Sequence, residues 1–133
     1  MSQIDVAIAI IHRSGKVLIC QRRKNDTFAD LWEFPGGKVE AGETPEQCLA
    51  REIHEELGIS VRIDNCFPTI AHDYPQLTVH LFPFLCTIQS GEPRPLASQR
   101  LQWVAVNDLS DFPFPAANAA LLQDVVALLG QER

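Results

Sequence analysis

Residues 33–59 read EFPGGKVEAGETPEQCLAREIHEELGI, and what this stretch folds into decides how the rest of the chain is read. Glu33, Glu40, Glu43, Glu46, Glu52, Glu55 and Glu56 stand here against only Lys38 and Arg51 as cations. The middle of the stretch is punctuated as a helix. Thr44 can cap its start, Pro45 suits the first helical position, Gln47 completes a reciprocal capping box, and Gly58 is a natural stop. At about 100° per residue, Leu49, Ile53 and Leu57 share one face, with Ala50 beside them. Glu52, Glu55 and Glu56 share a second face about a quarter to a third of a turn away, spaced so that all three side chains can converge.

Like charges at this spacing cost about a few tenths of a kcal/mol per pair on a bare helix. They also lie near the C-terminus, the unfavourable end of the helix dipole. Glutamate is a good helix former, and acidic runs often only face solvent. Here, however, the nearby cation Arg51 is expected outside the carboxylate arc, so no compensating charge is interleaved. A cluster of hard oxygen ligands on a rigid helix is what Mg²⁺ requires, usually alongside waters and phosphate oxygens. The spacing predicts a divalent-cation site rather than a solvated face.

Bulk properties narrow the substrate. A chain of 133 residues with 46% hydrophobic and 21% charged composition is expected to form one domain, 1–133, with its own core. A net charge of −6 opposes direct binding to nucleic acid or to an anionic membrane surface. A polyanionic substrate would therefore need a metal ion or a few placed arginines. The N-terminal MSQIDVAIAIIHR has no basic leader, no cleavage site and too short an apolar run to span a bilayer, so the cytoplasm is expected. Cys20, Cys48, Cys66 and Cys86 are scattered among apolar neighbours and are expected as reduced, mostly buried thiols.

Working outward, QIDVAIAIIH and KVLICQR are strand-like runs joined by RSG as a hairpin, and DLWEF is a short strand entering the turn PGG. SVRIDNCFPTIAH, LTVHLFPFLCTI and LQWVAV are further extended runs, with Pro68 and Pro75 at breaks or edges. Leu121, Leu122, Val125, Val126, Leu128 and Leu129 recur at helical spacing in a last amphipathic helix. The expected fold class is α/β of the α+β type: a mixed sheet with two principal helices, not a βαβ repeat.

GKVEAGETPEQCLAREIHEELGI resembles the signature box of the Nudix hydrolases, here residues 37–59. Gly37, Glu43, Arg51, Glu52, Ile53, Glu55, Glu56, Gly58 and Ile59 occupy every fixed position of that pattern. LWEFPGGK, GETPEQ, HDYP, the Gly91–Glu92–Pro93 turn, Trp103 and FPFPAAN are similar to the MutT-like branch and follow in its order. The resemblance implies the Nudix fold, a mixed β-sheet core sandwiched between helices with a loop-helix-loop catalytic box. It also implies attack by water on a phosphorus of a nucleoside diphosphate linked to another moiety, with Mg²⁺ as cofactor and Mn²⁺ as a substitute. The expected metal ligands are Gly36 through its carbonyl, Glu52, Glu55 and Glu56. Glu52 is expected to serve as general base, and Glu43 to brace the loop with Arg51 as its partner.

One position departs from the branch. A glutamate six residues before the tryptophan often joins the metal site, and here that place is Ala97; Glu92 or Gln99 is expected to compensate, or the site to do without. For the substrate, the resemblance points to Arg22, with Arg23 turned away on the strand, and to Asn118 as a purine reader. A helix N-cap is the competing role for Asn118. Phe34, with Leu81 and Phe82, is a candidate lining of the base pocket, although strand aromatics are often plain core. The leading expectation is a Mg²⁺-dependent pyrophosphohydrolase of oxidised purine deoxynucleoside triphosphates, converting 8-oxo-dGTP to 8-oxo-dGMP and pyrophosphate. The alternatives are hydrolysis of CTP, a modified dCTP or ADP-ribose, and a catalytically silent nucleotide-binding module. The expected partner is a nucleotide substrate with a di- or triphosphate, and the expected assembly is a monomer or weak homodimer.

Overall fold

The computed structural model describes residues 2–130. In chain order the strands are β1 (Ser2–Arg13), β2 (Lys16–Gln21), β3 (Trp32–Glu33), β4 (Gly36–Lys38), β5 (Ser60–Cys66), β6 (Ile70–Tyr74), β7 (Leu77–Ser90) and β8 (Arg100–Ala105). The helices are α1 (Pro45–Leu57) and α2 (Ala119–Leu129), with 3₁₀ turns at Val106–Asp111 and Ala116–Asn118.

β1 is the axis of the sheet because it is apolar on both sides. Ala7, Ala9 and Ile11 join one buried cluster and Ile8 and Ile10 the other. A strand of that kind must be covered on both faces. α1 covers the alanine face with Cys48, Leu49, Ile53 and Leu57, while Leu121, Val125 and Leu129 of α2 lie in the cluster behind Ile8 and Ile10. β1 runs parallel to β7 in unbroken register from Ser2↔Leu77 to Ile11↔Cys86. On its other edge β1 pairs antiparallel with β4 over Val6–Ile8, and with β2 only at His12 and Arg13. β8 and β3 both pair with β2, and β5 and β6 with β7. No helix among the described residues is long and apolar enough to cross a membrane.

The expected mixed sheet with two principal helices forms, and the capping box of Thr44 and Gln47 and the left-handed Gly58 stop are both present. Several details differ. PGG is not only a turn: Gly36–Lys38 is a strand, which a run of two glycines conceals. SVRIDNCFPTIAH splits into β5 and β6 at Phe67–Thr69, around Pro68. Pro83 sits inside β7 where pairing with β6 ends and pairing with β5 begins, so the missing N–H falls at a handover between partners. In α2, Val126 and Leu128 are exposed, and the i, i+4, i+8 series Leu121, Val125, Leu129 alone is fully buried. Cys66 is exposed, whereas Cys20, Cys48 and Cys86 are buried free thiols.

β4 can lie this close to β1 only because of Gly36. Its φ is +154°, and a Cβ there would collide with the Ala7 carbonyl oxygen and stand 2.9 Å from Ile8 Cα. Both are backbone atoms of the central strand and cannot step aside. Gly36→Ala is therefore expected to destabilise the fold by about 2–3 kcal/mol or more, from φ strain and overpacking together. Urea denaturation of parent and variant checks this; an unchanged midpoint would show that β4 has room to move.

Candidate active site

Two chain segments meet at the site: the Gly36–Gly37 corner of β4 and the glutamate face of α1. Helix packing decides which glutamate lies deepest. Ile53 and Leu57 are pulled into the core, so Glu56 is carried inward with them, while Glu55 remains at the rim. The Gly36 N–H donates to Glu56 Oε1 at 3.3 Å. A Cβ on Gly37 would run into the Glu52 carboxylate, so Gly37 leaves the space that Glu52 fills.

The electrostatics are those of anions short of a counter-ion. Burial, then the neighbouring Glu52 and Glu33 carboxylates, push Glu56 up to about 8. Burial also raises Glu52, opposed by Arg51. No Lys, Arg or His nitrogen among the described residues is ion-paired with Glu56, whose recorded hydrogen bond is to a single backbone N–H. Carboxylates that are buried, adjacent and short of cations fit a hard divalent cation, which removes both the repulsion and the desolvation cost of their charged forms. The donor set, with the Gly36 carbonyl available at the same corner, is therefore compatible with the expected ion. Among the described residues, however, no three carboxylate, imidazole or thiol groups already form a ready metal cage.

Glu55 explains part of that result and corrects the expectation about Arg51. The Arg51 side chain does reach the carboxylate arc, with Nη1 at 3.4 Å from both Glu52 and Glu55, the latter an i, i+4 pair. Its main partner is Glu43. Arg51 Nε donates to Glu43 Oε2 at 2.9 Å and Nη2 to Oε1 at 2.8 Å, a two-pronged clamp. The Glu40 N–H also donates to Glu43 Oε1 at 2.9 Å, and Arg51 Nη2 donates to the Lys38 carbonyl at 3.3 Å. Together these tie the loop between β4 and α1 back onto the helix.

β2 ends at Gln21, so Arg22 and Arg23 lie past the strand and are separated by their contacts rather than by strand alternation. The aromatic and aliphatic candidates divide by sheet face. Arg22 lies over the site edge, donating from Nη1 to Glu33 Oε1 at 2.7 Å and from Nε to the Thr27 carbonyl. Arg23 instead donates to the Leu96 carbonyl. Phe34 is buried on the α2 face, with its ring 5.3 Å from that of Phe114. Leu81 shares that face, but Phe82 packs in the α1-side cluster, so the two cannot line one base pocket. Asn118 is only 8% exposed and precedes α2, yet its side chain makes no capping bond. Its Nδ2 has a long 3.5 Å contact to the Pro115 carbonyl.

Neither compensating residue for Ala97 reaches the glutamates. Glu92 is largely exposed and pairs with Arg13 at 3.3 Å, and Gln99 donates to the Arg22 carbonyl and to Asp30. Sequence reasoning passed over Glu33. Trp32 and Phe34 are both buried on the α2 face, so strand alternation alone turns Glu33 toward the carboxylates of α1. Ser98, which stands beside Glu33 and Glu56 around one small cavity, carried no signal in the sequence.

The clamp has a pH signature. Hydrogen bonds from Arg51 and from the Glu40 N–H hold Glu43 down to about 2, below the ordinary range near 4.5. A carboxylate depressed on folding stabilises the native state above its unfolded value, and that contribution is lost as pH falls from about 4.5 to about 2. Glu43→Gln is thus expected to be less stable than the parent at neutral pH, with the gap closing across that interval. Denaturation midpoints measured from pH 7 to pH 2 check this, and a gap constant with pH would refute the assignment.

The chain is similar to known proteins over most of its length. The chain matches the NUDIX domain family over residues 6–124. It is 40% identical over 120 residues to an 8-oxo-dGTP diphosphatase of Haemophilus influenzae, spanning 90% of this chain and 88% of that one. It is 34% identical over 128 residues to a CTP pyrophosphohydrolase of Escherichia coli, spanning 96% and 95% respectively. The crystal structure of a MutT NUDIX hydrolase from Burkholderia pseudomallei is similar with a TM-score of 0.84 at 31% identity, covering 94% of this chain and 99% of that one. With the glutamate box, the mixed sheet and these likenesses in agreement, the chain belongs to the Nudix hydrolase family.

Proposed function

We propose that the chain is a Mg²⁺-dependent nucleoside triphosphate pyrophosphohydrolase acting on oxidised purine deoxynucleotides, with 8-oxo-dGTP the type substrate. The observation that carries the reaction class is the adjacent carboxylate pair Glu52 and Glu56 against the Gly36–Gly37 corner, with Glu56 buried and without a cationic partner among the described residues. Glu52, Glu55, Glu56 and the Gly36 carbonyl would hold the ion, with Glu55 leaving Arg51 to do so. Bound there, Mg²⁺ would neutralise the phosphates and lower the pKa of water. In this reading Glu52 would accept the proton from the attacking water as its oxygen bonds to phosphorus. The P–O–P bond then opens, releasing a nucleoside monophosphate and pyrophosphate. Arg51 and Glu43 act by fixing the loop, and Arg22 offers a guanidinium beside the site for the substrate. The nucleotide pool that this activity would cleanse is that of the cytoplasm.

Asn118 supports the oxidised purine. With no capping bond, and only the long contact of Nδ2 to the Pro115 carbonyl, its amide retains an acceptor and a donor proton for another group, which weakens the competing N-cap role. Oxidation at C8 turns purine N7 from an acceptor into an N–H donor while O6 stays an acceptor. An amide presents one acceptor and one donor side by side and matches that pair. Against ordinary guanine the amide oxygen would face the N7 lone pair, a mismatch of about 1–3 kcal/mol. Hydrolysis of CTP is the second reading, favoured by the likeness to the Escherichia coli CTP pyrophosphohydrolase. Nucleoside monophosphate release from a panel containing 8-oxo-dGTP, dGTP, CTP and ADP-ribose separates these, and no release from any member would indicate a silent binding module.

Glu56→Gln keeps shape and removes charge at the deepest carboxylate. Hydrolysis is expected to fall by about 10²-fold or more, while the metal-free protein stays folded or gains stability as repulsion is relieved. Near-normal turnover of folded Glu56→Gln at saturating Mg²⁺ would sink the metal assignment. For Asn118→Ala, the 8-oxo-dGTP to dGTP ratio of kcat/KM is expected to fall about tenfold or more, with dGTP hydrolysis little changed. An unchanged ratio accompanied by a lower melting temperature would return Asn118 to a structural role.

A further inference from the structure

A narrow cavity of about 30 Å³ lies between the β2–β3 edge and the end of α1, lined by Cys20, Glu33, Glu56, Leu57, Ala97 and Ser98. Ser98 Oγ is buried without a hydrogen-bond partner, the one side-chain nitrogen or oxygen among the described residues in that position. Such a hydroxyl loses its hydration with nothing in return. The two carboxylates beside it are each engaged through one oxygen: Glu33 Oε1 accepts from Arg22, and Glu56 Oε1 accepts from the Gly36 N–H. Their second oxygens remain for another donor. The volume is sufficient for a water, which needs about 10–15 Å³ of such space.

We propose that Ser98, Glu33 and Glu56 hold one buried water in this cavity, and that Ser98 is thereby a positioning residue for Glu56. Where Glu33 and Glu56 are both ionised they only accept, so the water donates its two protons to them and accepts the Ser98 O–H. Where Glu56 carries its own proton it donates to the water instead, and the water still reaches all three groups. All three protein groups are then satisfied, and the Glu56 carboxylate is held at both oxygens. A glutamate at position 97 would place its own side chain at this wall; Ala97 leaves the space, and the Ser98 hydroxyl is the polar group that remains there. The effect on Mg²⁺ rests on the metal reading proposed above, whereas the water itself does not.

A high-resolution crystal structure of the metal-free protein is expected to show a water within hydrogen-bond reach of Ser98 Oγ and both carboxylates. In calorimetric titration with Mg²⁺ alone, Ser98→Ala is expected to bind about tenfold more weakly than the parent, as when an outer-shell partner of a ligand is removed. Ser98→Thr, which keeps the hydroxyl, is expected to bind as the parent does. A cavity without water density, parental affinity in Ser98→Ala, or equal losses in the Ala and Thr variants would each overturn the proposal. Glu56→Gln in the same titration tests the metal assignment by itself: Mg²⁺ bound as tightly as by the parent would defeat that reading, whatever the Ser98 variants do.

Discussion

The active-site corner depends on one close approach, that of Gly36 to the Ala7 carbonyl of the central strand. It seats β4 against β1 at a distance no side chain allows, and it thereby sets the height of Gly36 and Gly37 beneath α1. The other half of the geometry comes from the same strand. Ala7 and Ala9 present small side chains to α1, so Leu49, Ile53 and Leu57 settle deeply and bring the glutamate face down with them. Packing and chemistry are thus coupled through backbone contact rather than through a flexible side chain.

That coupling concentrates negative charge where folding alone would not put it. Glu56 is forced into a low-dielectric position by its core neighbours, next to Glu52 and within the field of Glu33. The fold offsets part of this with arginines at every carboxylate of the group except the deepest. Arg51 grips Glu43 and touches Glu52 and Glu55 from the rim, and Arg22 holds Glu33. Glu56 is left without such help. A site that binds a cation must keep some charge uncompensated, because an internal arginine in ion-pair contact would compete with the ion.

The loop before β8 is where this chain differs from the pattern it resembles. Arg94 and Leu96 donate backbone N–H groups to the Leu57 and Glu56 carbonyls, so the loop docks on the end of α1 whatever its side chains are. Docking of that kind tolerates replacement of a glutamate by Ala97 without loss of the loop's position. It leaves Ser98 lining one small cavity with Glu56 and Glu33 and turns Gln99 toward the Arg22–Asp30 turn. The chemistry at this wall can change while the scaffold stays the same.

The sequence by itself determined the elements whose signals are local. The capping box and Gly58 bounded α1, the 3.6-residue period separated its apolar face from its glutamates, and the box residues identified the family. These are short-range properties, set by capping bonds and helical geometry. β4 was not legible, because two glycines carry no strand propensity and Gly36–Lys38 is a strand only through pairing with β1. The depth of Glu56 against the exposure of Glu55, the reach of Arg51 into the arc and the separation of Leu81 from Phe82 were likewise decided by tertiary packing. So was the orphaned Ser98 hydroxyl beside Glu33 and Glu56. Residues from the β2–β3 edge, from α1 and from the loop before β8 meet there across the sheet, and burial, unlike periodicity, is a property of which distant segments close over a group.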